Sequence, residues 1–346
     1  MTLVWRANAR FVGRSRAPLP LTVIAAAVAV VFASPVVFVA WRAATLDGDL
    51  SDVIGESFGP AWRTIQLAVI VSASAGGLGT ALAWLVTRTD VPGARLWRVL
   101  APIPLVFPSF VGAAAFLASL GPDGVLRQAL ELVNYHAPRR FRGMGASALV
   151  LTAFTYPYVY LPVAARLATL PPQIEESCRL LGDHALRSFV RVVVPMIRGS
   201  IAGGMLIVFL YCLSEFGAIQ LLGFDTLTRV VYATRLADRA VSFAAAAILV
   251  VMAIAAIAAE RRLRGTLQNR AVVAGRRQRP ITLGRWRLPA LAFVVAVLAT
   301  ALAVPVTALG QWAWRVMADS DNRWATLGTE LERLGEPAWT TAWLSV

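Results

Sequence analysis

Long apolar blocks free of charge alternate along this chain with short segments in which arginines or acids gather. Blocks at about 19–41, 64–87, 99–122, 143–165, 199–224 and 240–259 are each long enough to cross a bilayer as a helix. A seventh block covers 288–314, and an eighth starts at Pro337 but has only ten residues to Val346, too few for a helical crossing. The pattern predicts an all-α polytopic membrane protein. Its units are a cytoplasmic N-terminus at 1–18, a six-helix unit at 19–265, a basic linker at 266–287, and the opening of a second unit at 288–346, which the sequence leaves incomplete.

Charge assigns the sides. Arg6, Arg10, Arg14 and Arg16 precede the first block with no acid among them, which starts that helix in the cytoplasm. A cleaved signal is the rival reading, but its apolar core would be shorter than this one. The first connection carries Asp47, Asp49, Asp52 and Glu56 and no arginine over 45–60, and so belongs outside; Arg88, Arg95 and Arg98 mark the next turn as inside. Arg127, Arg139, Arg140 and Arg142 fall on the expected outer face, against the positive-inside bias. A surface helix around 125–133 is one account of them.

Composition narrows the function classes. Hydrophobic residues make up 58% of the 346 and charged residues 15%, with a mean hydropathy of +0.66, well below the quarter of charged residues usual in soluble domains. The net charge of +14 comes from arginines beside apolar blocks, so it reads as membrane-flanking charge and not as a nucleic-acid footprint. All 33 basic residues are arginine. Without lysine there is no Walker A loop and no Schiff-base chemistry, so this chain does not itself hydrolyse ATP by P-loop chemistry. Cys178, Cys212, His136 and His184 are too scattered to suggest a metal site or a disulfide framework.

Three features stand out as candidate functional elements. The first is the polar insert Pro171–Pro195, which separates two apolar blocks and reads as two short helices. Pro172 opens one, Gly182 closes it, and Asp183 caps the next, whose apolar stripe is Leu186, Phe189, Val190 and Val193. Its bland alternative is a helix lying on lipid headgroups. The second is Glu215, an acid inside an apolar block. Such a residue is a site hypothesis by default, although its place near the outer end would also let it face water. The third is the aromatic run at Tyr156 and Tyr158, which either anchors a span at the interface or lines a path through it. Gly76-Gly77-Leu78-Gly79 looks like a phosphate loop only superficially; within an apolar span it predicts close helix approach. Pro102, Pro104 and Pro108 should interrupt their span.

The chain also echoes itself. LPLTVIAAAVAVVFASPVVFVAW at 19–41 is matched by LPALAFVVAVLATALAVPVTALGQW at 288–312, and Pro60-Ala61-Trp62-Arg63-Thr64 by Pro337-Ala338-Trp339-Thr340-Thr341, 277 residues on (337 minus 60). Both copies start on the same side, as in a parallel repeat.

The insert then carries a resemblance. Glu176-Ser177-Cys178, Gly182, and Val192, Val194 and Pro195 resemble the EAA loop of binding-protein-dependent ABC transporter permeases, with Glu176, Gly182 and Pro195 in matching positions. Ser177 and Cys178 replace the alanines of that pattern. Further segments look like the fused, two-unit iron(III) permeases: Thr87-Arg88-Thr89-Asp90-Val91-Pro92-Gly93, Pro108-Ser109, Tyr156-Pro157-Tyr158-Val159-Tyr160, Glu215-Phe216-Gly217-Ala218 and Leu222-Gly223-Phe224-Asp225-Thr226.

The resemblance implies a multi-pass permease subunit of the bacterial inner (plasma) membrane, with membrane lipid around it. An extracytoplasmic binding protein would hand it substrate, and a separate ABC ATPase subunit, acting as a dimer, would hydrolyse ATP. Glu175, Glu176, Gly182, Asp183 and Pro195 would dock that ATPase, while Tyr156, Tyr158 and Glu215 would line the translocation path. No cofactor or metal is expected on this chain itself, and a second EAA-like loop is expected one repeat period further along. Iron(III) leads as substrate; thiamine, phosphonate and polyamine permeases share the mechanism. The competitor from another class is an ion-coupled secondary transporter, which calls for paired charges within the spans.

Overall fold

The computed structural model describes residues 19–45, 50–121, 124–132, 141–171, 185–264 and 280–318, together with Cys178 and scattered helical positions between Arg333 and Trp343. The described residues are all-α; the only bridge between extended segments among them joins Thr89 to Ile281. Six of the helices are long and apolar enough to span a membrane, or seven if one sharply bent pair counts as a span.

In chain order the elements are α1 (Leu19–Thr45), α2 (Leu50–Arg88), α3 (Ala94–Leu100), α4 (Ser109–Ser119), α5 (Val125–Leu132), α6 (Met144–Thr155) and α7 (Pro157–Thr169). Then come α8 (Phe189–Ser214), α9 (Gly217–Leu222), α10 (Leu227–Thr234), α11 (Arg239–Arg264), α12 (Arg287–Leu298) and α13 (Val304–Ala318). The core is the triad α2, α7 and α8, with α6 and α11 against α2. By contrast α1 touches α11 and leaves its apolar surface bare, and α13 lies on α4.

Glycines set how close the triad packs. A Cβ on Gly79 of α2 would stand 2.8 Å from the Tyr156 carbonyl oxygen and 3.0 Å from the Tyr160 nitrogen. From the other side, a Cβ on Gly204 of α8 would stand 2.7 Å from Val159 Cα. Both backbones therefore press on one turn of α7, as small residues permit between helices in lipid. Gly76 meets the Met205 side chain, whereas nothing lies within 4 Å of a Cβ on Gly77, so the glycine cluster contributes two of its three members to packing.

The prolines act differently from one span to the next. The expected span 99–122 is broken: the segments Ala94–Val106 and Ser109–Ser119 meet at 99°. Phe107 is extended just before Pro108, as the residue preceding a proline prefers, and that stops the helix. At Pro195 the chain does not stop. The expected boundary between insert and span is absent, because Ala185–Ser188 runs through a π turn at Phe189–Val193 into the α-helix Val194–Ser214. A π turn at Ala299–Ala303 likewise ends two residues before Pro305. The wider turn moves away the carbonyl that a proline ring would strike and absorbs its missing N–H.

The expected span 199–224 ends early, at Ser214, since Glu215 is extended and a separate short helix follows. The helix expected near 125–133 is present as α5. Arg127 is not a stray outer charge: its Nε donates to the Leu120 and Gly121 carbonyls at 2.9 and 3.0 Å, satisfying the C-terminal end of α4.

Gly204→Ala should destabilise the protein by at least 1–3 kcal/mol, the usual cost of overpacking. Gly77→Ala should stay within about 0.5 kcal/mol. Thermal unfolding of the detergent-solubilised chain checks both, and equal midpoints would contradict the packing described.

Candidate functional site

The first half of the insert, with Glu175, Glu176, Gly182 and Asp183, lies outside the described residues. Pro195 is described and exposed, in the first turn of the α-helical part of α8. What is visible is how the insert's second half joins the bundle. Phe189 and Val193 are buried, and the Phe189 ring packs on Trp84 of α2 with centroids 4.7 Å apart. The helix that leaves the insert is thus keyed to α2 before it continues as α8.

The same end of α2 is braced by the segment that precedes α12. Asp90 donates its N–H to the Ile281 carbonyl at 3.0 Å, and Ile281 donates to Arg88 at 2.8 Å. The Asp90 carboxylate accepts the Leu283 N–H at 2.9 Å. Arg98 Nε donates to the Val86 carbonyl at 3.1 Å and the Trp97 indole to that of Pro92 at 2.6 Å, so the turn that carries the arginines is internally tied.

Glu215 occupies the other end of α8. It is 8% exposed, in the break between α8 and α9, so it does not face water as its sequence position had allowed. Ser109 Oγ donates to one carboxylate oxygen at 2.7 Å, and the Ala218 N–H to the other at 2.9 Å. The first bond reaches the start of α4, immediately after the 99° bend; the second caps α9. Thr228 of α10 donates to the Glu215 carbonyl at 2.8 Å. A buried carboxylate needs such donors, and these make Glu215 the junction of α4, α8, α9 and α10. The backbones are close as well, since a Cβ on Gly217 would stand 2.9 Å from Phe110 Cβ.

Around the junction, Tyr211 interacts with Ser109 and Glu215, and its ring stands 6.0 Å from that of Tyr158 on α7. The structure thus brings Tyr158 to the Glu215 neighbourhood through Tyr211. It places Tyr156 elsewhere: this residue is fully buried and donates its hydroxyl to the Ala101 carbonyl at 2.8 Å, holding the bent pair against α6 and α7. Ser109, Tyr211 and Thr228 escaped sequence reasoning as partners of Glu215. Only Ser109 left a trace, as the polar residue after Pro108 at a helix start.

A second set of bonds holds this end to α2. Thr64 Oγ1 accepts the Leu227 N–H at 3.0 Å, and Arg63 Nε donates to the Asp225 carbonyl at 3.0 Å. Among the described residues no three His, Cys, Asp or Glu side chains gather as a metal site would require.

No protein-family model matches the chain. It is similar to the sulfate transport system permease protein CysW of Escherichia coli (strain K12), 29% identical over 215 residues, which are 60% of this chain and 73% of that one. It is also similar to the Fe(3+)-transport system permease protein FbpB 2 of Haemophilus influenzae, 26% identical over 170 residues; these are 49% of this chain but only 30% of that protein. In fold it resembles a chain of a bacterial alginate ABC transporter crystallised with its alginate pentasaccharide-bound periplasmic protein, with a TM-score of 0.57 at 14% identity over 73% of this chain and 96% of that one. The all-α polytopic fold is therefore one found in ABC transporters, and the sequence relatives are permease proteins of transport systems. The relatives do not single out the fused iron(III) subfamily.

Glu215→Ala should cost about 1–3 kcal/mol, because it leaves the Ser109 hydroxyl and the Ala218 N–H without their acceptor. Glu215→Gln keeps an acceptor for one of them and should cost less. Unfolding midpoints in detergent would rank the two, and a harmless Glu215→Ala would remove the junction from the account.

Proposed function

We propose that this chain is the membrane-spanning permease subunit of an ATP-driven ABC importer. It takes substrate from an extracytoplasmic binding protein and is powered by a separate ATPase dimer that docks on the insert through Glu175, Glu176, Gly182, Asp183 and Pro195. The observation that carries the reading is the unbroken helical path from Ala185 through the π turn to Ser214. A push on the insert at one end of that rod moves Glu215 at the other. The permease relatives and the EAA-like spacing support it from the sequence side.

The mechanism follows from the contacts. Closure of the ATPase tilts the insert, and the Phe189–Trp84 contact passes the tilt to α2. The Gly204–Val159 contact, with backbone against backbone, acts as the pivot. Beyond it the lever displaces the junction at Glu215, and with it the broken span α3–α4. Coupling of this kind needs two states that both ends can bias; the hydrogen bonds of Glu215 belong to one of them. Tyr158 and Glu215 then line the path, with Tyr156 holding its wall from behind. The chain lies in the bacterial inner membrane with its N-terminus in the cytoplasm. Residues 19–265 form one permease unit, 266–287 its linker, and 288–346 belong to another.

Iron(III) is the substrate on the motif resemblance. Sulfate or a related oxyanion is a second reading, favoured by the longer alignment to the sulfate permease protein. In either case the binding protein supplies the selectivity. Comparing ATP hydrolysis driven by the iron(III)-loaded and the sulfate-loaded binding protein decides between them.

Copurification with the ATPase subunit tests the docking. Glu176→Lys and Gly182→Pro should each abolish the complex, whereas Phe189→Ala should leave it intact and reduce transport per ATP hydrolysed. A complex that persists in both insert variants would overturn the assignment.

A further inference from the structure

At the end of the bundle that carries Thr64 and Leu227, α1 and α11 flank an open cavity of about 450 Å³. Arg42 enters it from the last turns of α1, Arg235 from the link after α10, and Arg239 from the first residue of α11. The rings of Phe38, Trp41 and Phe243, with Ser242, form its remaining walls. The Arg42 guanidinium lies 5.6 Å from the Phe243 ring centre, and that of Arg235 lies 3.6 Å from the Tyr232 ring centre. These contacts orient the cations without neutralising them.

Asp238, the carboxylate nearest in sequence to Arg235 and Arg239, forms no ion pair with either. Asp238 Oδ1 accepts the Val241 N–H at 3.1 Å and so caps α11. Among the described residues none of the three arginines forms an ion pair. Three cations without an ion pair among the described residues therefore line one cavity, on the face where the positive-inside bias calls for the fewest. Mutual repulsion opposes their gathering unless negative charge joins them.

The geometry points to a binding site for the phosphate headgroup of an anionic membrane phospholipid, wedged between α1 and α11. A lipid is the occupant because of the walls. A soluble anion would have no use for Phe38, Trp41 and Phe243, whereas a phospholipid presents its phosphate to the arginines and its acyl chains to the apolar faces below them. The rest of α1 fits this view. Its apolar window is wholly unburied, and its contacts are with α11 alone among the principal helix pairs. A bound lipid would fill the wedge and hold α1 to the bundle, a role independent of the importer mechanism proposed above.

The test uses the whole chain in nanodiscs of phosphatidylcholine with or without a fifth of phosphatidylglycerol, followed by native mass spectrometry of retained lipid. Arg42, Arg235 and Arg239 are changed to Gln singly and together. The wild type should retain phosphatidylglycerol through delipidation, and retention should fall about fivefold for each arginine removed. Unfolding midpoints in pure phosphatidylcholine should be the same for wild type and triple variant, showing that the fold survives; Arg239→Lys should keep most of the retention. Inorganic phosphate, added to phosphatidylcholine discs, should not reproduce the stabilisation given by phosphatidylglycerol. Equal retention in wild type and triple variant would overturn the site. So would equal stabilisation by free phosphate, which would assign it to a soluble anion instead.

Discussion

At Val159 three helix backbones converge, with Gly79 of α2 on one side and Gly204 of α8 on the other. Neither position has room for even one added carbon. In lipid there is little hydrophobic gain from bringing helices together, so the association must come from close van der Waals contact. That contact exists only where side chains are missing. The remaining helices take their places against this triad: α6 and α11 lean on α2, and the bent pair is held by the Tyr156 hydroxyl on Ala101. A tight contact between backbones is also incompressible, so helices joined this way can pivot against one another while the contact persists.

The two ends of α8 are built on different physics. At the Phe189 end the joint is apolar, a ring against the Trp84 indole, and the π turn lets the helix pass Pro195 without breaking. At the Glu215 end the joint is polar. A carboxylate with little access to solvent receives bonds from Ser109 and Ala218, drawn from two other helices. Apolar joints tolerate sliding at small cost, whereas a buried carboxylate must exchange its donors one for another when it moves. The Phe189 joint can therefore slide, whereas the Glu215 joint has discrete positions.

Much of the scaffold was legible in the pattern alone. Apolar blocks as long as a bilayer is thick admit no structure but the helix, because every backbone polar group must be satisfied within its own segment. The packing role of Gly76 and Gly79 and the break at the proline-rich span were also readable, each from a residue type with one strong local effect. The extent of the helices was less so. A span expected over 199–224 ends at Ser214, since the acid at 215 leaves the helix to cap the next one. The boundary expected at Pro195 is absent, because a π turn is a backbone adjustment without a residue signature of its own.

The candidate site divides along the same line. That Glu215 would need bonding partners could be inferred from the cost of an acid in an apolar block, a property of one residue and its neighbours in sequence. Its partners could not, because Ser109 lies 106 positions earlier and reaches it only through the 99° turn between two helices. The paths of Tyr156 and Tyr158, alike in sequence, part for the same reason: positions two apart at the start of a helix point to opposite sides and meet different neighbours. The sequence by itself determined the class of the protein, the number of crossings to expect and the residues whose local chemistry is unusual. Only the tertiary structure decided which of those residues meet, since contacts across the bundle depend on bends, crossing points and helix rotations that no local pattern encodes.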